Sequence, residues 1–285
     1  PDTHSLCASA AKKIISALHP TAKKILIIPE NHTRNTAYFD NINALKNILS
    51  NANFQVHVGS IRPEIKETQH QTLPSGDSIQ LHPISRQNNT ISINGFTPDC
   101  IILNNDLSTG TPPLLKGIQQ TVLPAMKFGW SRRLKSKHFT YYQALTEELA
   151  ELIEIDPWLI NPLFDQCPEV DFLARSGQDC IKQRSSQLLK RIQKKYDEHA
   201  IKQKPFLVIK ADQGTYGMAV MVVRSIDELD ALNRKQRTKM SSSKGGRKVT
   251  RAIIQEGVYS FETMQNNAVA EPVIYLFGQH VVGGF

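Results

Sequence analysis

The chain is poor in cysteine, and the spacing of the few that it has excludes several familiar uses of this residue. It contains four cysteines in 285 residues, namely Cys7, Cys100, Cys167 and Cys180. None of them forms a Cys-x-x-Cys pair or another spacing typical of structural zinc sites. Disulfide frameworks belong mainly to small secreted domains, which cannot build a large core. We therefore expect buried or idle thiols in a reducing cytoplasm rather than disulfides.

The chain also lacks a long apolar run. No segment approaches the ~20 consecutive apolar residues of a membrane-spanning helix. The first residues, 1–16, are mildly amphipathic and do not contain the apolar core of a signal peptide. With 40% hydrophobic and 21% charged residues, the composition is that of an ordinary globular protein. We therefore expect no membrane partner, and the length predicts two or three domains.

Positive charge is concentrated in one part of the chain. Residues 182–251 contain 18 Lys or Arg against 6 Asp or Glu, a net charge of +12, which leaves −4 for the remainder. This excess suits an anionic ligand at one site, and it would also suit a nucleic-acid surface. The densest run, residues 234–248, is rich in Ser and Gly and predicts a mobile loop. Because it has no aromatic residue to stack on a base, we expect it to be solvated or to cover phosphates rather than to bind nucleic acid.

Residues 206–223 combine a strand, a lysine and a glycine turn. The first four residues are apolar and lead into Lys210, a turn with Gly214 and Gly217 follows, and the last six residues are again apolar. Glycines let backbone N–H groups approach phosphate oxygens closely, and a lysine at a strand end supplies a positive charge. The stretch therefore predicts a β-hairpin folded over a polyphosphate. A plain hairpin with a solvated lysine has the same pattern.

The N-terminal part of the chain has the pattern of a β–loop–α–β unit. Apolar strands are predicted at 24–29, 54–58 and 99–103, and the helical spacing of apolar residues predicts a helix over 36–50. Ligands on such sheets bind beyond the carboxyl ends of the strands, so we expect a polar substrate site there. Its candidate residues are Glu30, His32, Arg34 and Asn35 after the first strand and Asn105 after the strand at 99–103. A helix-capping loop with solvated charges is the alternative.

The middle of the chain contains further helices and a basic run. A helical stretch is predicted from Pro112 to residue 122, and amphipathic helices are predicted over 139–155 and 177–200. Prolines within 156–162 suggest a domain edge. The basic run at 129–139 includes Arg132, which could clamp a substrate carboxylate or phosphate, while a solvated connection is the default interpretation.

The last segment supplies a possible partner for the glycine hairpin. Ser225 and Glu228 have the spacing of a capping box, which predicts a helix over 225–232. An apolar strand over 252–258 then carries Gln255 and Glu256 near its end. The backbone of such a strand could bind an adenine edge while Glu256 takes a ribose hydroxyl or an amino group. An edge strand with a solvated glutamate is the alternative.

Six long words of the sequence carry a more specific signal than these patterns. They occupy residues 28–35 (IPENHTRN), 103–108 (LNNDLS), 155–162 (IDPWLINP), 209–218 (IKADQGTYGM), 253–258 (IIQEGV) and 270–275 (AEPVIY). In this order of elements they resemble the proteobacterial glutamate–cysteine ligase family of the ATP-grasp superfamily. The resemblance covers nearly the whole chain.

The resemblance implies an α/β protein built of α+β lobes, with an ATP-grasp-like region after an N-terminal βαβ domain. We place the N-terminal substrate, or pre-ATP-grasp, domain at residues 1–160 and the nucleotide-binding region at 161–285. The implied reaction joins the γ-carboxyl of L-glutamate to the amine of L-cysteine through an acyl phosphate, with ATP and Mg²⁺ as cofactors. This reaction is the first step of glutathione biosynthesis, and the implied enzyme is cytoplasmic.

The resemblance also implies roles for particular residues. Lys210 would neutralise charge on the ATP phosphates, and the loop from Gly214 to Gly217 would fold over them and exclude water. The remaining expected contacts are Thr215 and Tyr216 in that loop, Gln255, Glu256 and Val258 at the adenine hinge, Glu271 at the ribose or a nearby group, Lys182 as a second upstream lysine, and Arg34 or Arg132 at a substrate carboxylate.

One departure from the family concerns the end of the chain. Family members continue beyond the strand at 281–285, and ATP-grasp enzymes take their Mg²⁺ ligands from that later region. We therefore expect no metal ligand within this chain, which resembles a fragment, and little or no catalysis by it as given. Another ATP-grasp amino-acid ligase and a non-catalytic nucleotide-binding module are the alternatives. The sequence does not indicate the oligomeric state.

Overall fold

The computed structural model of the chain describes residues 3–31, 36–214 and 217–284. The chain forms two compact units. Unit 1 comprises residues 1–107, 111–129 and 270–285, and unit 2 comprises residues 108–110 and 130–269. These limits differ from the predicted boundary after residue 160. The predicted domains were defined by substrate and nucleotide binding, and that division stays a prediction.

The described residues form the following α-helices and β-strands, numbered in chain order. The helices are α1 (Thr3–Leu18), α2 (Thr36–Asn51), α3 (Lys135–Leu152), α4 (Gln178–Glu198), α5 (Asp227–Asp230) and α6 (Arg234–Ser241). The strands are β1 (Lys24–Pro29), β2 (Gln55–Ser60), β3 (Gln69–Thr72), β4 (Ser78–Pro83), β5 (Ser85–Gln87), β6 (Thr90–Ser92), β7 (Cys100–Asn104), β8 (Thr121–Leu123), β9 (Phe164–Cys167), β10 (Leu207–Ala211), β11 (Val220–Val223), β12 (Ser242–Ser243), β13 (Arg247–Lys248), β14 (Ala252–Glu256), β15 (Ile274–Phe277) and β16 (His280–Gly284).

Unit 1 is organised around a six-stranded sheet in the order β3-β4-β2-β1-β7-β8. Five of these strands are parallel, and β3 is antiparallel to β4. Both faces of the central strand are buried, because Ile25 and Ile27 pack with α1 and α2 while Leu26 and Ile28 belong to the core on the opposite face. This explains why β1 is apolar without alternation, as strands of parallel sheets are.

Unit 2 contains a four-stranded antiparallel sheet in the order β11-β10-β14-β9. Buried residues of α4, including Leu188 and Ile192, pack on one face of it against Leu207, Ile209 and Ile254. Side chains alternate between the two faces of a strand. The residues between these buried positions therefore lie on the other face, which is partly open.

Most elements predicted from periodicity are present, with bounds that shift by a few residues. The predicted helix after Pro112 is wrong. Pro113–Leu115 form a short 3-10 turn, and residues 121–123 instead extend the sheet as β8 beside β7. Residues 122 and 123 are apolar, and pairing at this edge of the sheet suits them better than a helix does. Proline also opposes the continuation of a helix.

The predicted capping box at Ser225 is also wrong. The short helix α5 starts after Ile226 with no side-chain cap. The capping box is formed by Asn233 and Gln236 at the start of α6, where each side chain accepts a hydrogen bond of 2.9 Å from the other residue's backbone N–H. The basic run 234–248, predicted to be a mobile loop, is therefore ordered as α6 followed by the β12–β13 hairpin.

The expectation that all thiols are reduced is wrong for one pair. Cys167 at the end of β9 and Cys180 in the first turn of α4 form a disulfide, with their Cα atoms 6.2 Å apart. Packing of α4 on the sheet brings the two residues together, which their sequence spacing did not indicate. Cys7 and Cys100 are free thiols. Across the residues described, no helix is long and apolar enough to cross a membrane.

Candidate functional site

Lys210 lies on the partly open face of the sheet in unit 2. Its neighbours along β10 are the buried Ile209 and Ala211 on the α4 side, so the lysine projects from the opposite face. Lys210 pairs with Val220 and Ile253 on the flanking strands. Burial lowers the pKa of its ammonium group. No carboxylate in the described part of the chain forms an ion pair with it.

A second lysine, which the sequence did not single out as a ligand, lies near Lys210. Lys135 begins α3, and its Nζ donates hydrogen bonds to the carbonyl oxygens of Ala211, at 2.8 Å, and Gly214, at 3.0 Å. Burial lowers the pKa of Lys135 and the charge of Lys210 lowers it further, while Asp212 acts in the opposite direction. A lysine in the first turn of a helix opposes the helix dipole. The sequence carried no such signal, because the helix was predicted to start only at residue 139.

Asp212 joins the start of α3 to the end of β10. Its carboxylate, 1% exposed, accepts hydrogen bonds from the backbone N–H of Ser136 at 2.8 Å and from the Ser136 hydroxyl at 2.7 Å. The backbone N–H of Lys135 donates to the Asp212 carbonyl at 3.0 Å. These bonds satisfy amides that a helix N-terminus leaves unpaired. They hold Lys135 beside the chain that leads into the glycine turn.

The glycine turn has the backbone that the sequence predicted at its two ends. Gly214 has φ +122° and Gly217 has φ +63°, values that favour glycine. A Cβ added at Gly214 would lie 3.0 Å from the Cβ of Ser243 at the β12–β13 hairpin. The ordered basic segment thus packs closely against the turn. The predicted contacts Thr215 and Tyr216 lie outside the described residues.

The three predicted hinge residues have different surroundings. Gln255 pairs with Val208 across β14 and β10, so its side chain is on the same face as Lys210. Val258 follows the strand and is 68% exposed. Glu256 pairs with Leu207 and points to the face covered by α4. The structure therefore brings Gln255, rather than Glu256, to the face of Lys210.

The carboxylate of Glu256 is used within the protein. It is 6% exposed and accepts hydrogen bonds from Trp158 Nε1 at 2.9 Å and from the backbone N–H of Leu163 at 3.0 Å. Burial raises the pKa of Glu256, and these two hydrogen bonds act against that change. The group borders an apolar pocket of about 450 Å³ lined by Trp158, Tyr196, Val258, Tyr259 and Phe261 among others. These bonds tie the end of β14 to Trp158 and to the backbone at Leu163.

The structure also gives the locations of three other predicted residues. Lys182 is on α4, which packs on the opposite face of the sheet, and its Nζ forms an ion pair with Asp230 at 2.7 Å. Arg132 is exposed in unit 2, near the start of α3, and Glu271 is exposed in unit 1. Lys135 therefore occupies the place beside Lys210 that we had expected for Lys182.

The carboxyl ends of β1 and β7 meet in unit 1, as the sequence predicted. Pro29 pairs with Asn104, and Asn105 Nδ2 donates to the Pro29 carbonyl at 3.3 Å. The Tyr38 hydroxyl accepts a hydrogen bond from the Glu30 backbone N–H and donates at 2.9 Å to Asn104. Glu30 and Asn105 therefore lie at one polar edge of the sheet. The predicted residues His32, Arg34 and Asn35 lie outside the described residues.

The described side chains provide no cluster for a metal ion. No group of three or more His, Cys, Asp or Glu residues within 3–31, 36–214 and 217–284 is placed to hold one. Magnesium prefers several oxygen ligands in octahedral geometry. The described residues of the site thus offer two lysines and no carboxylate cluster of this kind.

The chain resembles a solved structure over its whole length. The crystal structure described as "Putative gamma-glutamylcysteine synthetase" from Methylobacillus flagellatus KT is 46% identical in sequence, with a TM-score of 0.88. The alignment covers 100% of this chain and 67% of that chain. It confirms the mixed α/β fold predicted from the sequence. No curated protein matches the chain at a significant level.

Two more distant structures align over most of the chain. D-alanyl-alanine synthetase A from Vibrio cholerae O1 biovar eltor str. N16961 is 11% identical, with a TM-score of 0.42, over 84% of this chain and 61% of that one. A RimK domain protein ATP-grasp from Sphaerobacter thermophilus DSM 20745 is 10% identical, with a TM-score of 0.38, over 83% and 65%. At these values neither likeness supports an inference about this chain.

The family comparison covers the chain completely. The family described as GshA, glutamate-cysteine ligase, matches residues 1–285. This match includes all six sequence words on which the predicted resemblance depends, and it agrees with the likeness to the Methylobacillus structure. The resemblance and the ligase class predicted from the sequence are thereby confirmed. The chain belongs to the glutamate–cysteine ligase family.

Proposed function

We propose that this protein takes part in the ATP-dependent joining of the γ-carboxyl group of L-glutamate to the amino group of L-cysteine. The observation that carries the proposal is the convergence of Lys135 and Lys210 beside the Gly214–Gly217 turn, in a chain of this family. Both ammonium groups are half-buried, and no carboxylate of the described residues forms an ion pair with Lys210, so an anion would favour their charged forms. A nucleotide polyphosphate supplies that anion.

ATP would lie along the open face of the unit 2 sheet. Lys210 and Lys135 bind the phosphates, and the backbone amides of the glycine turn add donors that tolerate close approach. Gln255 and Val258 lie beside the base. The hydrogen-bonded carboxylate of Glu256 holds the hinge strand against Trp158 and the segment at Leu163. The ribose contact of Glu271 stays a prediction.

The chemistry is a transfer of the γ-phosphoryl group followed by attack of an amine. An oxygen of the glutamate γ-carboxylate attacks the γ-phosphorus, and the bond to the β-phosphate oxygen breaks to release ADP. The cysteine nitrogen then attacks the acyl carbon, phosphate leaves, and the nitrogen loses a proton. Positive charge at Lys210 and Lys135 stabilises the phosphoryl transfer, and closure of the turn excludes water from the acyl phosphate.

The amino-acid substrates would be bound by the polar residues predicted from the sequence. Glu30 and Asn105 are candidates for the amino and carboxylate groups of a substrate, with Arg132 a candidate for a carboxylate. Magnesium is expected as a cofactor of the family's reaction. The described residues hold no cluster of ligands for it. We expect the reaction to take place in the cytoplasm.

The test of this function is phosphate release from ATP by the full-length gene product across a panel of amino-acid pairs. We expect release to require glutamate and cysteine together and the product to contain a γ-amide, identified by mass spectrometry. If release required another pair of amino acids, the protein would be a ligase with those substrates instead. ATP binding without turnover for any pair would support a nucleotide-binding module instead.

A further inference from the structure

Two histidines contact each other within unit 1. His57 on β2 and His82 on β4 lie on the sheet face that Phe96 covers, and the distance from His57 Nδ1 to His82 Nε2 is 3.4 Å. His82 is 7% exposed. Its second ring nitrogen, Nδ1, lies 2.9 Å from Thr68 Oγ1 and 3.3 Å from Asn94 Nδ2. The pair is thus oriented by its neighbours on both sides.

The direction of these hydrogen bonds can be worked out from the amide of Asn94. Asn94 Nδ2 donates to Thr68 Oγ1 at 3.1 Å, so the Thr68 hydroxyl is free to donate to His82 Nδ1. His82 then carries its proton on Nε2 and donates it to His57 Nδ1. When His57 takes up a proton on Nδ1, both facing nitrogens become donors. They then have no acceptor between them.

The pair borders a pocket of about 320 Å³ that has a basic lining. Besides the histidines it is lined by Lys24, Gln55, Ile93, Asn94, Gly95 and Phe96, none of which is acidic. The Nζ atom of Lys24 lies 5.7 Å from the centre of the Phe96 ring. Asp99, the neighbouring carboxylate, accepts two backbone N–H bonds of 2.8 Å through its Oδ2. It does not line the pocket.

The charged groups that act on the pair are all basic. Burial lowers the pKa of His57, and Lys46 lowers it further. Burial also lowers the pKa of His82, followed by the effects of His57, Lys46 and His70. A carboxylate that would compensate an imidazolium here is not among the groups that shift either pKa. Protonation of the pair therefore requires a negative charge from outside.

We propose that this pocket, formed by Lys24, His57, His82 and Asn94, binds a small dianion of the phosphate class. The Lys24 ammonium group lines the pocket, protonation of His57 turns both facing ring nitrogens into donors, and the pocket has space for a tetrahedral oxyanion. A divalent cation would also suit two ring nitrogens 3.4 Å apart, but the lysines around the pair oppose a cation. The residues of this pocket belong to unit 1, whereas Lys210 belongs to unit 2.

Binding at this site must be linked to protonation. A bound dianion favours the charged imidazole, so it raises the histidine pKa that burial and lysine have lowered. Proton uptake on binding strengthens the affinity as the pH falls through the range in which histidine titrates. The nucleotide site depends on lysines, which stay charged throughout this range. The pH dependence therefore distinguishes the two sites.

The experiment is a titration with inorganic phosphate at about pH 6 and about pH 8, followed by the imidazole proton signals of the histidines in NMR spectra. The protein carries the Lys210→Ala substitution, which weakens phosphate binding in unit 2. Chloride at matched ionic strength controls for screening, and acetate tests whether a carboxylate suffices. We expect phosphate to raise the pKa of both histidines. Because inorganic phosphate itself loses its second proton near neutral pH, each affinity is expressed per dianion present, and we expect the affinity for the dianion to be about tenfold higher at the lower pH.

The variant is Lys24→Gln, and its matched control is Lys23→Gln, the adjacent exposed lysine that does not line the pocket. We expect Lys24→Gln to weaken phosphate binding about tenfold, because one charge-assisted bond is lost, and Lys23→Gln to leave it unchanged. His57→Asn, which keeps a polar side chain on the exposed side of the pair, should remove the pH dependence. Equal phosphate affinity in the two lysine variants would overturn the proposal. So would tight Zn²⁺ binding that His57→Asn abolishes in a protein indifferent to phosphate.

Discussion

Lys210 and Lys135 carry their charges where burial makes the charged form costly, and the two groups also repel each other. Such an arrangement is retained when a ligand compensates it. This is the reason for the proposal that the two lysines bind a phosphate group. Removal of either side chain should relieve repulsion in the free protein while it weakens the complex with ATP.

The first prediction concerns these lysines. Lys210→Ala should reduce ATP affinity by about 10- to 100-fold or abolish it, because a charge-assisted bond of ~1.5–3 kcal/mol is lost. Lys135→Ala should have a similar effect. Calorimetric titration with ATP measures both. Lys137→Ala, an exposed lysine in the same first turn of α3, serves as the control, and unchanged affinity in Lys210→Ala would return the hairpin to an ordinary structural role.

A second prediction at this scale concerns Glu256. Since burial raises its pKa, the folded protein binds this proton more tightly than the unfolded chain does. The contribution of Glu256 to stability is then fully favourable below its unfolded pKa and is lost as the pH rises through the folded pKa. Glu256→Gln keeps an acceptor for Trp158 and Leu163 without a charge. Its stability relative to the wild type should therefore increase from about pH 4 to about pH 7.

The measurement is chemical denaturation at several pH values. Glu262→Gln, a change at an exposed glutamate, should show no such trend. Glu256→Ala leaves the Trp158 and Leu163 donors unpaired and should cost about 2–4 kcal/mol of unfolding free energy. If Glu256→Gln instead became less stable relative to the wild type as the pH rises, the buried group would be stabilised as an anion.

At the scale of elements, the contact between α3 and β10 positions the site. Asp212 accepts hydrogen bonds from the backbone N–H and the hydroxyl of Ser136 at the start of α3. The Lys135 ammonium group donates a hydrogen bond to the carbonyl oxygen at the end of β10. The residues joined lie 76 positions apart in sequence. The helix and the strand therefore fix each other, and the second lysine reaches the glycine turn as a result.

We predict that Asp212→Ala lowers the free energy of unfolding by about 2–4 kcal/mol, because buried donors lose their acceptor. ATP affinity should fall with it, since Lys135 is no longer held. Asp230→Ala is the comparison, as it removes an exposed ion pair with Lys182, and such surface pairs contribute little to stability. Denaturation and ATP titration of both variants would test this, and equal losses of stability would contradict it.

The start of α6 gives another prediction for an element. Asn233→Ala should destabilise the protein by about 1 kcal/mol, because it removes the capping box. It should also loosen the basic segment that packs against Gly214. Ser225→Ala, at the cap suggested by sequence alone, should change stability by less than ~0.5 kcal/mol. Thermal denaturation of the two variants would show whether the caps have been assigned correctly.

For the whole molecule, the two units have separate hydrophobic cores and carry different candidate sites. A ligand protects the unit that it binds against local opening. We predict that ATP slows amide hydrogen exchange at β10, β14 and the glycine turn in unit 2. Phosphate in the Lys210→Ala protein should instead slow exchange around β2 and β4 in unit 1. Protection of the same peptides by both ligands would contradict separate sites.

The sequence by itself determined the elements with strong patterns and the family. The apolar runs of β1 and β10, the periodicity of α2 and α4, and the six sequence words needed no long-range information, because each depends on residues close together in the chain. Gly214 was also predictable, since a turn at φ +122° favours glycine. The prediction of a mobile loop for residues 234–248 was wrong, because the run shows almost no apolar pattern. Met240 is the one residue of this run in the hydrophobic core.

Tertiary structure alone decided which polar groups meet. Lys135, and not Lys182, lies near Lys210 because α3 begins beside the end of β10, whereas α4 packs on the other face of the sheet. Glu256 turned inward to Trp158 because its register with Leu207 puts it on the covered face. His57 and His82 meet only because β2 and β4 are neighbours in the sheet. Helix and strand periods fix which side of an element a residue occupies, but packing decides what lies on that side.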